Sequence, residues 1–295
     1  PNEYQNPVLM LSTDGVGTKA EVARRTGMVD GLGWDLVAMC ADDLSATGAK
    51  PIALTDYIAI GTLDMNLIER LVGSISRACV EANIVLLGGE TAEHPGVLAR
   101  DQFDLSATAL GLVERNKVVD GSGITPGDCI IGLPSPNLRS NGFSLLRKTL
   151  LSRLDPADPY PGSSQTVAEA LMAPSIVYSP AVHNLLGQIQ PHGMAHITGG
   201  GIASNIERIL PSGTAAEIDS KTWITPETFQ GLYEATGANE SELYRTFNMG
   251  IGYVIVVDGG DLDQAVSLLI AAGHDAREIG RIVPGQGKTE IIGIR

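Results

Sequence analysis

Carboxylates, glycines and one lysine near the start of the chain are residue types that could hold a metal-bound nucleotide. The segment T-D-G-V-G-T-K at residues 13–19 follows an apolar strand pattern at residues 8–11. Asp14 offers a hard oxygen ligand for a divalent cation, and Lys19 offers a positive charge for phosphate. Gly15 and Gly17 allow the backbone to approach a bulky ligand. The spacing is not that of a Walker loop, and a plain strand-to-helix turn is the alternative interpretation of this segment alone.

Residues that could bind a metal or an anion recur at several later positions. Asp42 and Asp43 interrupt the apolar pattern of a helix predicted over residues 34–44, and buried carboxylates need a partner or a metal. The segment G-G-E-T-A-E-H-P-G at 88–96 follows a strand that we predict to be short and buried, at 84–87. Ser140 or Asn141 is predicted to cap a helix, and three glycines at 199–201 precede another. Backbone N–H groups at such helix starts suit anions, whereas a flexible turn is the alternative for the triple glycine.

Composition limits the function classes. The chain has 295 residues, a length that suits two domains. Its net charge of −14 argues against nucleic acid or an anionic membrane as a partner. No apolar run is long enough to span a membrane. Three cysteines lie far apart, so we predict buried, reduced thiols and a cytoplasmic protein. The chain begins Pro-Asn-Glu-Tyr, with no signal-peptide pattern and no initiator methionine, so we expect that the natural protein starts earlier.

The order of predicted strands and helices indicates a mixed α/β fold. A segment rich in Gly, Ser, Pro and Asp at 120–128 is the best domain boundary. We therefore predict an N-terminal domain over residues 1–120 and a C-terminal domain over 121–295. Asp64 is predicted to cap a helix whose apolar positions run from 67 to 79, and Gly273 to end the amphipathic helix at 261–272.

Six segments together resemble the phosphoribosylformylglycinamidine cyclo-ligase family, also called aminoimidazole ribonucleotide synthetase, of purine biosynthesis. They are T-D-G-V-G-T-K, M-C-A-D-D-L at 39–44, G-G-E-T-A-E-H-P-G, S-N-G-F-S-L-L-R-K at 140–148, A-H-I-T-G-G-G at 195–201 and Y-R-T-F-N-M-G-I-G at 244–252. The resemblance runs in order from about Pro7 to the C-terminus. Any one motif would be weak evidence, but six in register are specific.

The resemblance implies an α/β fold of two domains, an ATP-dependent enzyme and a homodimer. The first domain is expected to pair with its copy as a β-barrel, and the second to be a larger α/β domain. The implied reaction converts formylglycinamidine ribonucleotide to 5-aminoimidazole ribonucleotide, with ADP and phosphate as the other products. In it the γ-phosphate of ATP activates the formyl oxygen, and a substrate nitrogen closes the ring. ATP and Mg²⁺ are the implied cofactors.

The resemblance also implies roles for individual residues. Asp14, Asp43 and Glu90 match the carboxylates expected around Mg²⁺ and the ATP phosphates. Lys19 is expected to meet phosphate, with a structural ion pair to Asp14 or Asp43 as the alternative. His196 and Arg139 complete the catalytic set. The remaining binding positions are Gly15, Gly17, Thr18, Thr91, Glu93, Ser140, Asn141, Thr198, Gly199, Gly200 and Gly201.

Two departures from the family pattern bear on these roles. Arg139 stands where members usually have histidine before S-N-G. Arginine cannot act as a general base near neutral pH, although electrostatic stabilisation or phosphate binding would survive the change. The family's glycine-rich N-terminal segment, which carries a lysine, is not in the given chain; we expect that it was removed or that the chain binds ATP incompletely.

Other members of the superfamily are alternatives. Selenophosphate synthetase would need a reactive cysteine or selenocysteine near its N-terminus, and the hydrogenase-maturation relative ends in cysteine, whereas this chain ends I-I-G-I-R. Thiamine-monophosphate kinase is less consistent with G-G-E-T-A-E and Y-R-T-F-N. A non-catalytic nucleotide-binding paralogue is the alternative from another class. Arg139 favours it slightly, and the retained Asp14, Asp43 and Glu90 count against it.

Overall fold

The computed structural model describes residues 4–294, whose strands form two sheets. The first sheet has four strands: β1 (Pro7–Gly15), β2 (Lys50–Ile60), β3 (Val85–Glu93) and β4 (Phe103–Glu114). They lie in the order β1-β4-β2-β3, with β2 and β3 parallel and the other two pairs antiparallel. The helices in this half are α1 (Lys19–Thr26), α2 (Leu32–Ala46) and α3 (Met65–Glu81).

The second sheet has six strands in the order β10-β7-β9-β5-β8-β6. Their bounds are β5 (Cys129–Pro134), β6 (Gly193–His196), β7 (Thr214–Asp219), β8 (Ile251–Val257), β9 (Arg277–Pro284) and β10 (Thr289–Ile292). The helices in this half are α4 (Phe143–Thr149), α5 (Val167–Met172), α6 (Ser179–Leu186), α7 (Gly201–Glu207), α8 (Glu227–Thr236), α9 (Glu240–Thr246) and α10 (Leu262–Ala271). The predicted domain boundary falls in the connection between β4 and β5 and stays a prediction.

Helix α2 joins the two halves. It packs against α3, β1 and β4 on one side and against β6 and α6 of the second half on the other. Burial on both sides explains why its sequence is apolar around most of its circumference. The helix predicted around Asp42 and Asp43 is confirmed, and it places Asp42 inside the protein.

The strand predicted at 84–87 differs from expectation. It extends as β3 through both glycines to Glu93, and Val85 and Leu87 are exposed rather than buried. The reason is its position: β3 is an edge strand, and helices cover only one face of the first sheet. Its alternate residue Leu86 packs against the core.

Two predicted helix ends are confirmed and one is wrong. The Asp64 carboxylate accepts hydrogen bonds from the N–H groups of Asn66 and Leu67, and Gly273 has φ +93° directly after α10 and Ala272. Neither Ser140 nor Asn141 caps α4, because Gly142 occupies that position with φ +78°. A Cβ on Gly142 would lie 2.1 Å from the Phe247 ring, so the turn requires glycine.

The three cysteines are free and buried, as predicted. Burial raises the pKa of Cys40 and of Cys79 to about 12. Across residues 4–294, the helices are too short or too polar for a membrane span.

Candidate active site

A cleft of about 420 Å³ lies between the two halves of the molecule. The first half contributes the end of β1, the start of β4 and one residue of α2. The second half contributes the loops that precede α4 and α7. The lining residues are Asp14, Gly15, Gly17, Met39, Asp104, Leu105, Ser106, Ser140, Asn141, Thr198 and Gly199. Four of the six sequence motifs therefore meet in one cleft although they are far apart along the chain.

Asp14 supplies the cleft with a partly buried carboxylate. Its Oδ1 accepts a hydrogen bond of 2.7 Å from the Gly15 N–H. Burial raises the pKa of Asp14, and the nearby charge of Asp43 raises it further, while the Gly15 N–H and His196 act in the opposite direction. Two carboxylates in mutual repulsion are stabilised by a cation placed between them.

His196, Arg139 and Asp42 form a buried chain of polar contacts that ends at the Asp43 carboxylate. The Nδ1 of His196 lies 2.8 Å from Asp43 Oδ1, and the Nη2 of Arg139 lies 2.8 Å from His196 Nε2. The same Nη2 lies 3.1 Å from Asp42 Oδ2. Arg139 and His196 were predicted to be catalytic, but Arg139 is fully buried and only 1% of the His196 side chain is exposed. The structure corrects this: neither residue lines the cleft that contains Asp14, and His196 lines a separate cavity together with Asp43.

Lys19 does not reach the cleft. Its ammonium forms an ion pair of 2.7 Å with Asp35 and donates to the carbonyl oxygens of Arg139 and Ala173, at 3.0 and 2.9 Å. These three contacts use all its N–H donors, and the side chain is fully buried. The predicted phosphate contact of Lys19 is therefore wrong in this structure. The alternative of an ion pair is right, but with Asp35 in place of Asp14 or Asp43.

Glu90 lies on the opposite face of the first sheet from Asp14. Asp14 and Asp56 both pair with Ala107, so their side chains share a face, whereas Glu90 pairs with Tyr57, the next residue along. Glu90 is exposed there. Consistently, no trio of His, Cys, Asp or Glu within residues 4–294 is placed to hold a metal. The predicted trio of Asp14, Asp43 and Glu90 is thus reduced to its first two members.

The other predicted positions on β3 also lie outside the cleft. Thr91 and Glu93 are exposed, and Glu93 Oε1 accepts a hydrogen bond of 2.8 Å from the Leu63 N–H. Thr18 lies beside the cleft, where its hydroxyl is 3.4 Å from that of Ser144. The reason is that β3 is at the opposite edge of the sheet from β1, whose end forms part of the cleft.

The loops from the second half bring unused polar atoms to the cleft. Ser140 Oγ and Asn141 Nδ2 are buried and have no hydrogen-bond partner among the described residues. Buried polar atoms are normally paired, so such atoms beside a cleft are available to a ligand. Gly200 and Gly201 have φ of +96° and +70°, and a Cβ on Gly201 would lie 1.9 Å from the Tyr244 carbonyl oxygen. These glycines shape the loop, while Thr198 and Gly199 line the cleft.

Sequence reasoning missed part of this lining. Asp104 and Ser106 of β4 also line the cleft, and the sequence analysis assigned neither of them a role. Their alternation with Phe103 and Leu105 was the available signal.

Comparison with known proteins places these features in a class. The family model for the N-terminal domain of AIR synthase related protein matches residues 4–113, and that for the C-terminal domain matches residues 125–293. Both domains of that class are therefore present, and the cleft lies between them.

Closer relatives narrow the class. The chain is 43% identical to phosphoribosylformylglycinamidine cyclo-ligase of Trichlorobacter lovleyi over 282 residues, covering 95% of this chain and 81% of that protein. It is 43% identical to the enzyme of the same name from Myxococcus xanthus, over 99% of this chain and 85% of that protein. The chain belongs to the phosphoribosylformylglycinamidine cyclo-ligase family.

Solved structures support the fold. Thiamine-monophosphate kinase from Stenotrophomonas maltophilia is similar with a TM-score of 0.71 at 20% identity, covering 98% of this chain and 86% of that chain. Hydrogenase maturation protein HypE in complex with ATP is similar with a TM-score of 0.69 at 18% identity, covering 96% and 81%. At these identities the likeness concerns the fold alone.

Proposed function

We propose that this chain catalyses the ATP-dependent cyclisation of formylglycinamidine ribonucleotide to 5-aminoimidazole ribonucleotide, in purine biosynthesis. The observation that carries the proposal is the convergence of four family motifs in one interdomain cleft. Identity of 43% over 95% of the chain to a cyclo-ligase supports the same substrate. The buried, unpaired cysteines fit a reducing compartment such as the cytoplasm.

The residues present suit ATP with a divalent cation. Mg²⁺ is usually held by one or two carboxylates together with phosphate oxygens and water, so Asp14 and Asp43 suffice as its protein ligands. Mg²⁺ held there would neutralise phosphate charge and favour the ionised form of Asp14, whose pKa burial raises. Glu90 is left out of this proposal because it lies on the other face of the sheet.

The reaction needs positioned donors more than a protein nucleophile. The formyl oxygen attacks the γ-phosphorus of ATP and releases ADP; a substrate nitrogen then bonds to the formyl carbon, the carbon–oxygen bond breaks, and phosphate leaves with loss of a proton from nitrogen. Ser140 Oγ and Asn141 Nδ2, which lack partners among the described residues, would donate to the oxygens on which charge develops. Holding both reactants in one cleft supplies the orientation.

We propose further that the chain is a homodimer, paired through the outer face of the first sheet. Leu9 and Leu11 of β1 are 68% and 70% exposed, and Val85 and Leu87 of β3 are 59% and 67% exposed. They project from both edges of the sheet, away from the side that α2 covers. An apolar surface of this extent favours an interface with another copy.

The direct test measures ADP release and product formation with formylglycinamidine ribonucleotide and Mg²⁺ present or omitted. Substrate-dependent ADP together with aminoimidazole ribonucleotide supports the proposal. ADP without that product would overturn it in favour of another phosphoryl acceptor, and a folded protein that releases no ADP would favour a non-catalytic nucleotide-binding role. Asp14→Asn should lower kcat roughly 100-fold, whereas Asp263→Asn, on the exposed side of α10, should leave it unchanged.

A further inference from the structure

Arg139 occupies an unusual position for an arginine. Its side chain is fully buried, and its backbone has φ +57°, a left-handed conformation that few non-glycine residues adopt. Its N–H donates to Asn137 Oδ1 at 3.0 Å, and its carbonyl oxygen accepts from Lys19 Nζ. The Asn248 amide donates to the Asn137 carbonyl oxygen, which fixes the same loop. Several contacts therefore hold the backbone in a conformation that it would otherwise avoid.

The guanidinium is directed at His196 from a fixed frame. Nη1 donates to the Ile176 carbonyl oxygen at 2.9 Å, Nη2 lies 3.1 Å from Asp42 Oδ2, and the guanidinium carbon lies 5.0 Å from the centre of the Tyr178 ring. Asp42 also accepts the N–H groups of Tyr178 and Ser179. The orientation of the guanidinium is therefore set independently of His196.

This frame determines which imidazole nitrogen carries the hydrogen. A guanidinium can only donate, so the His196 Nε2 at 2.8 Å from Arg139 Nη2 must accept. The imidazole hydrogen is then on Nδ1, which donates to Asp43 Oδ1 at 2.8 Å. The opposite tautomer would place two donors face to face at one nitrogen and leave Asp43 facing a bare lone pair at the other.

We propose that Arg139 is a positioning residue, which fixes His196 in its Nδ1–H tautomer and thereby holds in place the carboxylate of Asp43, a proposed ligand of Mg²⁺. Its bearing on catalysis rests on the proposed function, but the tautomer itself does not. Asp43 is the partly exposed end of the chain of contacts, with 42% of its side chain accessible, while the side chains of His196 and Arg139 are buried. The arginine thus replaces the family's usual histidine without entering the reaction as a base.

The primary test is a long-range ¹H–¹⁵N correlation spectrum of the imidazole groups in uniformly labelled protein, with no ligand added. The chain has five histidines, and a His196→Gln variant assigns the signal. We expect the wild-type His196 to show a protonated Nδ1 and an unprotonated Nε2. A protonated Nε2, or protons on both nitrogens, would overturn the proposal whatever the enzyme does.

Variants of Arg139 test the link to activity. Arg139→Met removes the donor, and we expect a loss of the single-tautomer signature together with a fall in kcat of about 10–100-fold. Arg139→Lys keeps a donor-only group and should restore part of both. Arg153→Met, a matched change at an arginine that donates to backbone oxygens and does not line the cleft, should alter neither.

The outcomes separate the two proposals. An unchanged tautomer in Arg139→Met would contradict the positioning role even if the protein is an active cyclo-ligase. Absence of cyclisation by the wild type, with the expected tautomer present, would contradict the proposed reaction and leave the positioning role intact. If Arg139→Met does not fold, the wild-type spectrum and Arg139→Lys still decide the question.

Discussion

Lys19 and Asp35 form an ion pair of 2.7 Å in which both side chains are fully buried. Lys19 begins α1 and Asp35 lies in the first turn of α2, so the pair joins two helices of the first half. Lys19 also donates to Arg139 and Ala173 of the second half. Through Lys19 the pair therefore forms a buried joint between the two halves, and it does not line the cleft.

Lys19→Met should destabilise the protein without specifically weakening ATP binding. Removing one partner leaves Asp35 as an uncompensated buried charge and orphans two carbonyl oxygens, for a cost of about 3–5 kcal/mol. Thermal unfolding measures the loss, and Lys148→Met, at an exposed position of α4, is the matched control. A variant of native stability with a raised KM for ATP would show that Lys19 does contact phosphate.

Asp14→Asn should reduce activity while it increases stability. Burial raises the pKa of Asp14, so its ionised form destabilises the folded state at pH 7. The amide keeps the acceptor for the Gly15 N–H, and we expect Tm at pH 7 to rise by roughly 1–3 °C and kcat to fall roughly 100-fold.

The sign of the pH dependence checks this explanation. Asp14 has a raised folded pKa, so its relative contribution to stability is greatest below the usual aspartate value of 3.8 and is lost as pH rises through the folded pKa. The Tm advantage of Asp14→Asn should therefore shrink as pH falls towards that value. A Tm lowered at pH 7 would contradict the assignment.

His183→Gln should weaken the acid sensitivity of the fold. Burial lowers the pKa of His183 from 6.5 to about 4, and its Nε2 donates to the Ala49 carbonyl oxygen at 3.0 Å. A lowered folded pKa means that the stabilising contribution is complete above 6.5 and is lost as pH falls towards 4. At pH 5 the loss is about 2 kcal/mol. Unfolding at pH 7.5 and pH 5 should show a smaller difference for His183→Gln than for wild type or for His94→Gln.

Leu11→Lys should produce a monomer if the outer face of the first sheet is the dimer interface. A charge within the apolar surface, present twice in a symmetric pair, opposes association. Light scattering after gel filtration gives the mass, with Ile270→Lys on α10 as the control because Ile270 is also exposed, at 53%. A dimer that persists in Leu11→Lys would move the interface elsewhere.

Local patterns predicted the elements and much of the cleft. Helical spacing interrupted by Asp42 and Asp43 indicated a buried helix with a site at its end, and the glycine-containing strand end at Asp14 indicated a ligand site. Both features depend on residues close together in the chain, where spacing translates directly into geometry. Residues 140–141 and 198–199 were assigned to the site because the family resemblance covered them.

The failures concern contacts that depend on packing and register. Lys19 finds Asp35 only because α1 and α2 pack together, and no spacing rule joins them. Glu90 falls on the wrong face because β2 shifts its register against β3 between Leu54 and Thr55, and a shift of one residue reverses every later side chain. The role of Arg139 could not be predicted from local sequence because it depends on a contact with His196, which is 57 residues away in the chain.

The buried joint at Lys19 has a kinetic consequence. Because the Lys19 ammonium is bonded to both halves, they cannot swing apart as lobes do in hinge-bending enzymes without breaking its two buried hydrogen bonds to the second half. Ligands must therefore diffuse into a groove whose walls are already assembled. Their association rates should follow solvent viscosity and ionic strength, and should show no saturation with ligand concentration of the kind that a slow opening step imposes.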